Sequence, residues 1–135
     1  MDLSPRSMAA MWMAGFEENP DDAGELCVVE VFGKGIERGS AEVGVGIKNV
    51  NDPRLVHDFV SPRLEIDVSE YHVYAVEWDA DQAQFFVDGE VIHASRNPPS
   101  YPMQAMLAVF DFPEWGSGSD DHLVPSFAID WVAGT

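Results

Sequence analysis

The most constraining part of the chain is the segment HVYAVEWDADQAQFFVDGEVIHA at residues 72–94. Tyr74, Val76 and Trp78 recur with a period of two, so they share one face of a strand, and we expect Trp78 in the core. Asp88-Gly89 indicates a tight hairpin, because a type I′ turn needs positive φ at both central positions. The segment therefore predicts three consecutive antiparallel strands whose apolar face is covered by a second layer.

The remainder of the chain follows the same pattern and predicts an all-β sandwich. Short apolar or alternating runs are separated by Gly, Pro, Asn and Asp, and helical periodicity is hard to find. The predicted strands are Ala9–Phe16, Glu25–Phe32, Ala41–Lys48, His72–Trp78, Ala83–Val87, Glu90–Ala94, Met103–Phe110 and Ser126–Val132. A length of 135 residues suits a single domain that covers residues 1–135.

The charge balance narrows the classes of partner. Twenty-four acidic residues against 7 basic ones give a formal net charge of −17, which repels a phosphate backbone and argues against nucleic-acid binding. A neutral glycan meets no such repulsion. No apolar run approaches the ~20 residues of a membrane-spanning helix, and we expect no membrane partner. No signal peptide is visible, and the single cysteine, Cys27, allows no internal disulfide, so the compartment stays open.

The stretch GELCVVEVFG at residues 24–33 places two acids in an apolar run. In a regular strand Glu25 and Cys27 share a face and Glu30 points away, whereas one extra residue, a β-bulge, brings all three to one face. Two such carboxylates are what a retaining glycosidase needs, one as nucleophile and one as general acid/base. The spacing alone favours the simpler alternative, a strand with two solvated acids.

Several stretches, taken in order, resemble glycoside hydrolase family 16, the laminarinase and lichenase group. GELCVVEVFG is similar to that family's Glu-x-Asp-x-x-Glu signature, which lies on a bulged strand. The other stretches that resemble strands of the family, in the same order, are MAAMWMAGFEENP, YHVYAVEWDADQAQFFVDGEVI, YPMQAMLAVF and FAIDWV. The resemblance implies a jelly-roll β-sandwich of two curved antiparallel sheets, with a substrate cleft on the concave face.

The same resemblance implies an activity and its residues. It implies a retaining endo-glycosidase whose substrate is a neutral, β-linked polysaccharide such as a β-glucan. Such an enzyme requires no cofactor. Glu25 matches the nucleophile and Glu30 the general acid/base, and Cys27 stands where the family usually has an assisting Asp. A thiol is a weak hydrogen-bond donor and a poor acceptor. The alternative interpretation is that Cys27 is a small residue of the core.

Other residues carry weaker expectations. Trp115 and Trp12 are candidates for sugar stacking and His72 for lining the cleft, although each also fits a structural role. Asp130 matches a calcium ligand of relatives, but the matching N-terminal ligands are not seen. The acidic run at 119–122, in the long loop 111–125, is interpreted as solvated rather than as a metal cluster.

The chain also departs from the resemblance in its length. Family domains have several strands before the AAMW equivalent, so we expect an N-terminally shortened domain with an open sheet edge, which a homodimer would cover. Three interpretations stay open: an active enzyme, a non-catalytic glycan-binding sandwich, and an inactive fragment of such an enzyme. Export to the extracellular space is implied by the resemblance alone.

Overall fold

The structure, a computed structural model, describes residues 1–16, 18–115 and 123–134. Its secondary structure is β-strands and two short 3₁₀ turns at Gly33–Gly35 and Pro113–Trp115. The strands are β1 (Ser7–Gly15), β2 (Glu25–Phe32), β3 (Ile36–Glu37), β4 (Ser40–Glu42), β5 (Gly44–Lys48), β6 (Asp58–Val60), β7 (Arg63–Leu64), β8 (Tyr74–Trp78), β9 (Gln82–Val87), β10 (Glu90–Arg96) and β11 (Met103–Asp111).

The strands form antiparallel sheets that pack in two layers. The larger sheet has the order β11-β1-β2-β5-β6, and a three-stranded sheet has the order β10-β9-β8. A small sheet, β3-β4-β7, lies beside them. This architecture confirms the predicted all-β sandwich.

The core lies between the five-stranded sheet and strand β9. Its buried side chains alternate along each strand, as the period of two requires. They are Leu26, Val29, Val31, Val43, Val45, Ile47, Ala83, Phe85 and Val87. Phe85 is the largest fully buried side chain, and burying a side chain of this kind contributes roughly 1.5–3 kcal/mol. This core leaves the other face of β2 free for other functions.

Several predicted elements are confirmed at the level of register. The β9–β10 hairpin pairs Val87 with Glu90, and Asp88 and Gly89 have φ values of 51° and 85°. Strand β2 has the predicted bounds. The predicted strand Ala41–Lys48 is instead divided into β4 and β5, which belong to different sheets. The chain switches sheets at Val43, whose backbone N–H bonds to the carbonyl of Pro62.

Two predictions for the periphery were wrong. Segment 126–132 is not a strand: its pairing is a single bridge between Ser126 and Asp2. Among the described residues no strand lies beside it to continue the ladder, and Trp131 is 62% exposed. Trp78 is 43% exposed rather than buried. It is the last residue of the edge strand β8, so its ring lies at the margin of the core.

The outer edge of β11 has no partner strand within the described ranges. The sequence predicted an open sheet edge without locating it, and the homodimer that would cover such an edge stays a prediction. No helix in the described part of the chain has the length and apolar character needed to cross a membrane.

Candidate active site

The central strand β2 contains a bulge at Val28. On one side, β2 pairs Val29 with Met11 and then Cys27 with Trp12, so Val28 is an extra residue. On the other side, Cys27 pairs with Gly46 and Glu30 with Gly44, and the same register shift appears. The bulge predicted from the sequence is therefore present. It changes which way every later side chain of β2 points.

The bulge brings Glu25, Cys27 and Glu30 to one face. Residues paired across antiparallel strands share a face of the sheet. The rows that result on this face are Ala14–Glu25–Lys48, Trp12–Cys27–Gly46 and Ala10–Glu30–Gly44. The side chains of β2 that point into the core are Leu26, Val29 and Val31. The two glutamates thus lie together on the side of the sheet away from the core.

Two glycines on β5 keep this face open beside the acids. A Cβ atom at Gly44, which is opposite Glu30, would meet the ring of Phe59. Gly46, opposite Cys27, has φ +130° and packs against the backbone carbonyl of Asp58. Larger residues at these positions would crowd the carboxylates or strain the backbone.

Lys48 is the residue of this site that the sequence analysis did not identify. Its Nζ lies 2.6 Å from Oε2 of Glu30 and 4.5 Å from the centre of the Phe59 ring. Glu30 is 8% exposed, so the ion pair is largely shielded from water. The strand pairing also sets Lys48 directly opposite Glu25. The one signal in the sequence is the scarcity of lysine, since the chain has only Lys34 and Lys48.

The environment shifts the pKa values of three groups in the site, Glu25, Cys27 and Lys48. Burial raises the pKa of Glu25, the nearby ammonium of Lys48 lowers it in part, and the charge of Glu30 raises it again. Burial also raises the pKa of Cys27 to about 12, so the side chain is a neutral thiol at physiological pH. Its Sγ lies 4.0 Å from Oε2 of Glu30. Cys27 therefore adds no charge between the two glutamates, unlike an aspartate.

A row of aromatic rings extends across the same face from the carboxylates. Trp12 lies 6.1 Å from Phe110, which lies 6.2 Å from Phe112, which stacks at 4.3 Å on Trp115. Phe32 is 5.9 Å from Trp115. We call Trp12, Phe32, Phe110, Phe112 and Trp115 the aromatic row. Trp115 is 47% exposed, so this row offers an apolar surface to a ligand.

The structure does not bring His72 to this site. Its Nδ1 lies 2.7 Å from Oδ2 of Asp88 and its Nε2 lies 2.9 Å from the carbonyl oxygen of Asp67. His72 lines a cavity of about 500 Å³ together with Met11 and Val29. Those two residues belong to the core-facing side of the sheet, so this cavity lies across the sheet from the glutamates.

Asp130 also lies apart from the carboxylates, along the same cavity. Across residues 1–16, 18–115 and 123–134, no group of three or more His, Cys, Asp or Glu side chains is arranged to hold a metal ion. The structure therefore supplies no carboxylate cluster for calcium at Asp130. The acidic run at 119–122 lies outside the described residues.

A β-sandwich with two glutamates on the outer face of a bulged central strand, away from the core, is the architecture of a glycoside-hydrolase-like protein. The model of "Glycosyl hydrolases family 16" matches residues 8–133, and the chain belongs to this family.

Individual relatives agree with this assignment. A probable glycosidase from Eremothecium gossypii is 30% identical over 48% of this chain and 16% of its own length. A GlcNAcα1-4Gal-releasing endo-β-galactosidase from Clostridium perfringens matches 92% of this chain and 33% of its own, with 25% identity and a TM-score of 0.66. The laminarinase catalytic domain from Thermotoga maritima matches 81% of this chain and 49% of its own, with 18% identity and a TM-score of 0.62. The chain thus spans half or less of the length of each.

Proposed function

We propose that this chain carries the active site of a retaining endo-glycosidase that hydrolyses a neutral, β-linked polysaccharide. The observation that carries the proposal is the bulge at Val28, which sets Glu25 and Glu30 on one open face of the central strand. The activities of two structural relatives, an endo-β-galactosidase and a laminarinase, support a β-linked glycan as the substrate class.

In the proposed mechanism the two glutamates divide the chemistry. The ionised carboxylate of Glu25 attacks the anomeric carbon and forms a covalent glycosyl-enzyme, while Glu30 gives a proton to the leaving oxygen. Glu30 then removes a proton from the incoming water, which attacks the same carbon and releases Glu25. Each carboxyl group ends the cycle in its starting state.

The aromatic row suits a neutral glycan. Apolar faces of sugar rings pack on flat aromatic surfaces, which lose little conformational entropy on binding. Trp12 lies in the row of Cys27 and so next to the carboxylates, and Trp115 lies at the far end of the aromatic row. We therefore propose that a sugar chain runs from the Glu25–Glu30 pair toward Trp115. The net charge of −17 favours neutral over acidic polysaccharides.

A second candidate, a glycan-binding module without turnover, is favoured by one observation. The carboxylate of Glu30 is bound by the Lys48 ammonium at 2.6 Å and is 8% exposed, so its bonding partner lies within the protein. A general acid must instead reach the glycosidic oxygen of the substrate. In this alternative the aromatic row still binds sugar but no bond is broken.

The test is release of reducing sugar from laminarin, lichenan, agarose and carrageenan. Wild type is compared with Glu25→Gln and Glu30→Gln, and circular dichroism checks that all three fold alike. Cleavage of one glycan by wild type and by neither variant supports the enzyme. Saturable glycan binding without cleavage by folded wild type supports the binding module and overturns the proposed mechanism.

A further inference from the structure

Among the described residues, Lys48 is the only cation that lies beside both glutamates. Its backbone pairs directly with Glu25 and its ammonium hydrogen-bonds to Glu30. Phe59 lies 4.5 Å under the ammonium, and such a contact holds a cation in place. The side chain is 27% exposed, so its charge is only partly screened by water.

Within the described parts of the chain, Lys48 is the one positive charge that acts on Glu25. From β2 it is faced by Cys27, a neutral thiol, and by Glu30. From β1 and β11 the residues in its row, Ala14 and Gln104, are uncharged. Lys48 on β5 is therefore the positive charge that offsets the burial of this carboxyl group.

The charges of the cluster can be balanced directly. With one ionised carboxylate, one protonated carboxyl, the Cys27 thiol and the Lys48 ammonium, the net charge is zero. With an aspartate at position 27, the same protonation state would carry a net negative charge. A largely buried site favours the neutral combination. A thiol at position 27 and an ammonium at position 48 thus suit a site that carries a single ionised carboxylate.

We infer that Lys48 is the positioning residue that holds Glu30 in the site and, by its charge opposite Glu25, sets the pH at which Glu25 becomes an ionised nucleophile. The inference rests on the proposed function for its catalytic meaning. Its electrostatic content stands on the geometry alone, because the ammonium contacts Glu30 and Lys48 lies opposite Glu25 whether or not a glycan is cleaved. Lys48 acts through the glutamates and makes no bond to the sugar.

The test is a pH titration of the glutamate side-chain carboxyl carbons by ¹³C NMR, with Glu25 assigned from the Glu25→Gln spectrum. Lys48→Met removes the charge but keeps the length of the side chain. Lys48→Arg keeps the charge, and Arg96→Met removes a charge from an exposed position on β10, in the other sheet. An opposite charge within 4–6 Å shifts a carboxyl by about one to three pH units, and partial exposure reduces the effect here to about one unit.

The expected result is that the titration midpoint of Glu25 rises by about one pH unit in Lys48→Met and stays near the wild-type value in Lys48→Arg and Arg96→Met. The same midpoint in Lys48→Met as in Arg96→Met overturns the inference. Lys48→Gln serves as a second neutral variant if Lys48→Met does not fold.

Measurements of activity then distinguish the proposed function from the electrostatic inference. If a glycan is cleaved, the acid limb of the kcat/KM profile shifts upward with the midpoint in Lys48→Met, and Lys48→Arg restores it. A kcat/KM profile that does not move would overturn the catalytic role of Lys48, even with a moved midpoint. If folded wild type cleaves nothing but the Glu25 midpoint still moves, the proposed function fails and the electrostatic inference stands.

Discussion

The hydroxyl group of Tyr101 donates a hydrogen bond of 2.9 Å to Oδ2 of Asp52, which is 1% exposed. The same hydroxyl accepts a 2.8 Å bond from the backbone N–H of Gly24, the residue before the central strand β2. Asp52 also accepts bonds from the side chain and backbone of Arg54. These contacts fix the entry into β2, and with it the position of Glu25.

We predict that Asp52→Asn lowers the free energy of unfolding at pH 7 by about 2 kcal/mol, because it weakens bonds to a buried charged acceptor. The side-chain hydrogen bond from Arg54 is the main cause that lowers the pKa of Asp52 from 3.8 to about 2. A lowered pKa stabilises the fold above the unfolded-state value, and that contribution is lost as the pH falls through about 2. Urea unfolding between pH 7 and pH 2 should therefore show a difference that shrinks below pH 4. The control is the exposed Glu65→Gln, and a constant difference across this range would contradict the prediction.

Cys27→Asp introduces the aspartate that the family usually has at this position. We expect the variant to fold and its kcat/KM to equal or exceed that of wild type, because both glutamates stay in place on the same face of β2. Adding Lys48→Met to this variant should reduce kcat/KM by about tenfold more than Lys48→Met does alone, since the two sites are coupled. Steady-state kinetics on the glycan that wild type cleaves measures both effects. Complete loss of activity in a folded Cys27→Asp protein would count against the placement of Cys27 beside the nucleophile.

Trp115→Ala should weaken glycan binding by roughly 3–10-fold, in line with the ~0.5–1.5 kcal/mol of a stacked ring. The matched control is Trp78→Ala, because Trp78 is equally exposed but lies on β8 in the opposite sheet. Isothermal titration calorimetry with a short oligosaccharide gives the two dissociation constants. Equal weakening by both substitutions would show that the aromatic row is not the sugar surface.

His72→Gln should change stability and leave glycan binding as in wild type, because His72 lies across the sheet from the glutamates. Burial works to lower the pKa of His72, but its bonds to Asp88 and to the carbonyl of Asp67 raise it above 6.5 overall. A raised pKa stabilises the fold fully below the unfolded-state value, and this contribution disappears as the pH rises through the folded-state value. The loss of stability on His72→Gln should therefore be about 1 kcal/mol at pH 5.5 and smaller at pH 8.5. Thermal melts at both pH values check this, and a glycan affinity that falls with the substitution would argue for a place in the cleft.

The sequence predicted the elements whose signals are local. The bounds of β2 and the hairpin at Asp88-Gly89 follow from an apolar run and from turn chemistry, and both are confirmed. The bulge was expected from the resemblance to the family signature, since parity shows only that an extra residue is needed for Glu25 and Glu30 to share a face. These features depend on residues close in the chain.

The features that were missed depend on distant parts of the chain. Lys48 reaches Glu30 only because β5 pairs with β2, and no spacing within the sequence states that register. Trp78 continues the apolar alternation of β8 but is the last residue of this edge strand. Its exposure therefore depends on how far the opposite sheet extends over it. Segment 126–132 has the pattern of a strand, yet a strand requires a neighbour to bond with.

The bulge at Val28 also limits which changes of sequence strand β2 can accept. A single backbone position sets which side chains of β2 join the core and which lie on its outer face. Insertion or loss of one residue between Cys27 and Glu30 would reverse the side chains that follow, turning Glu30 inward and Val31 outward while Glu25 keeps its face. Substitution at position 27 is free of that hazard. Single substitutions can therefore change the chemistry of this strand, while the fold does not tolerate a change in its length.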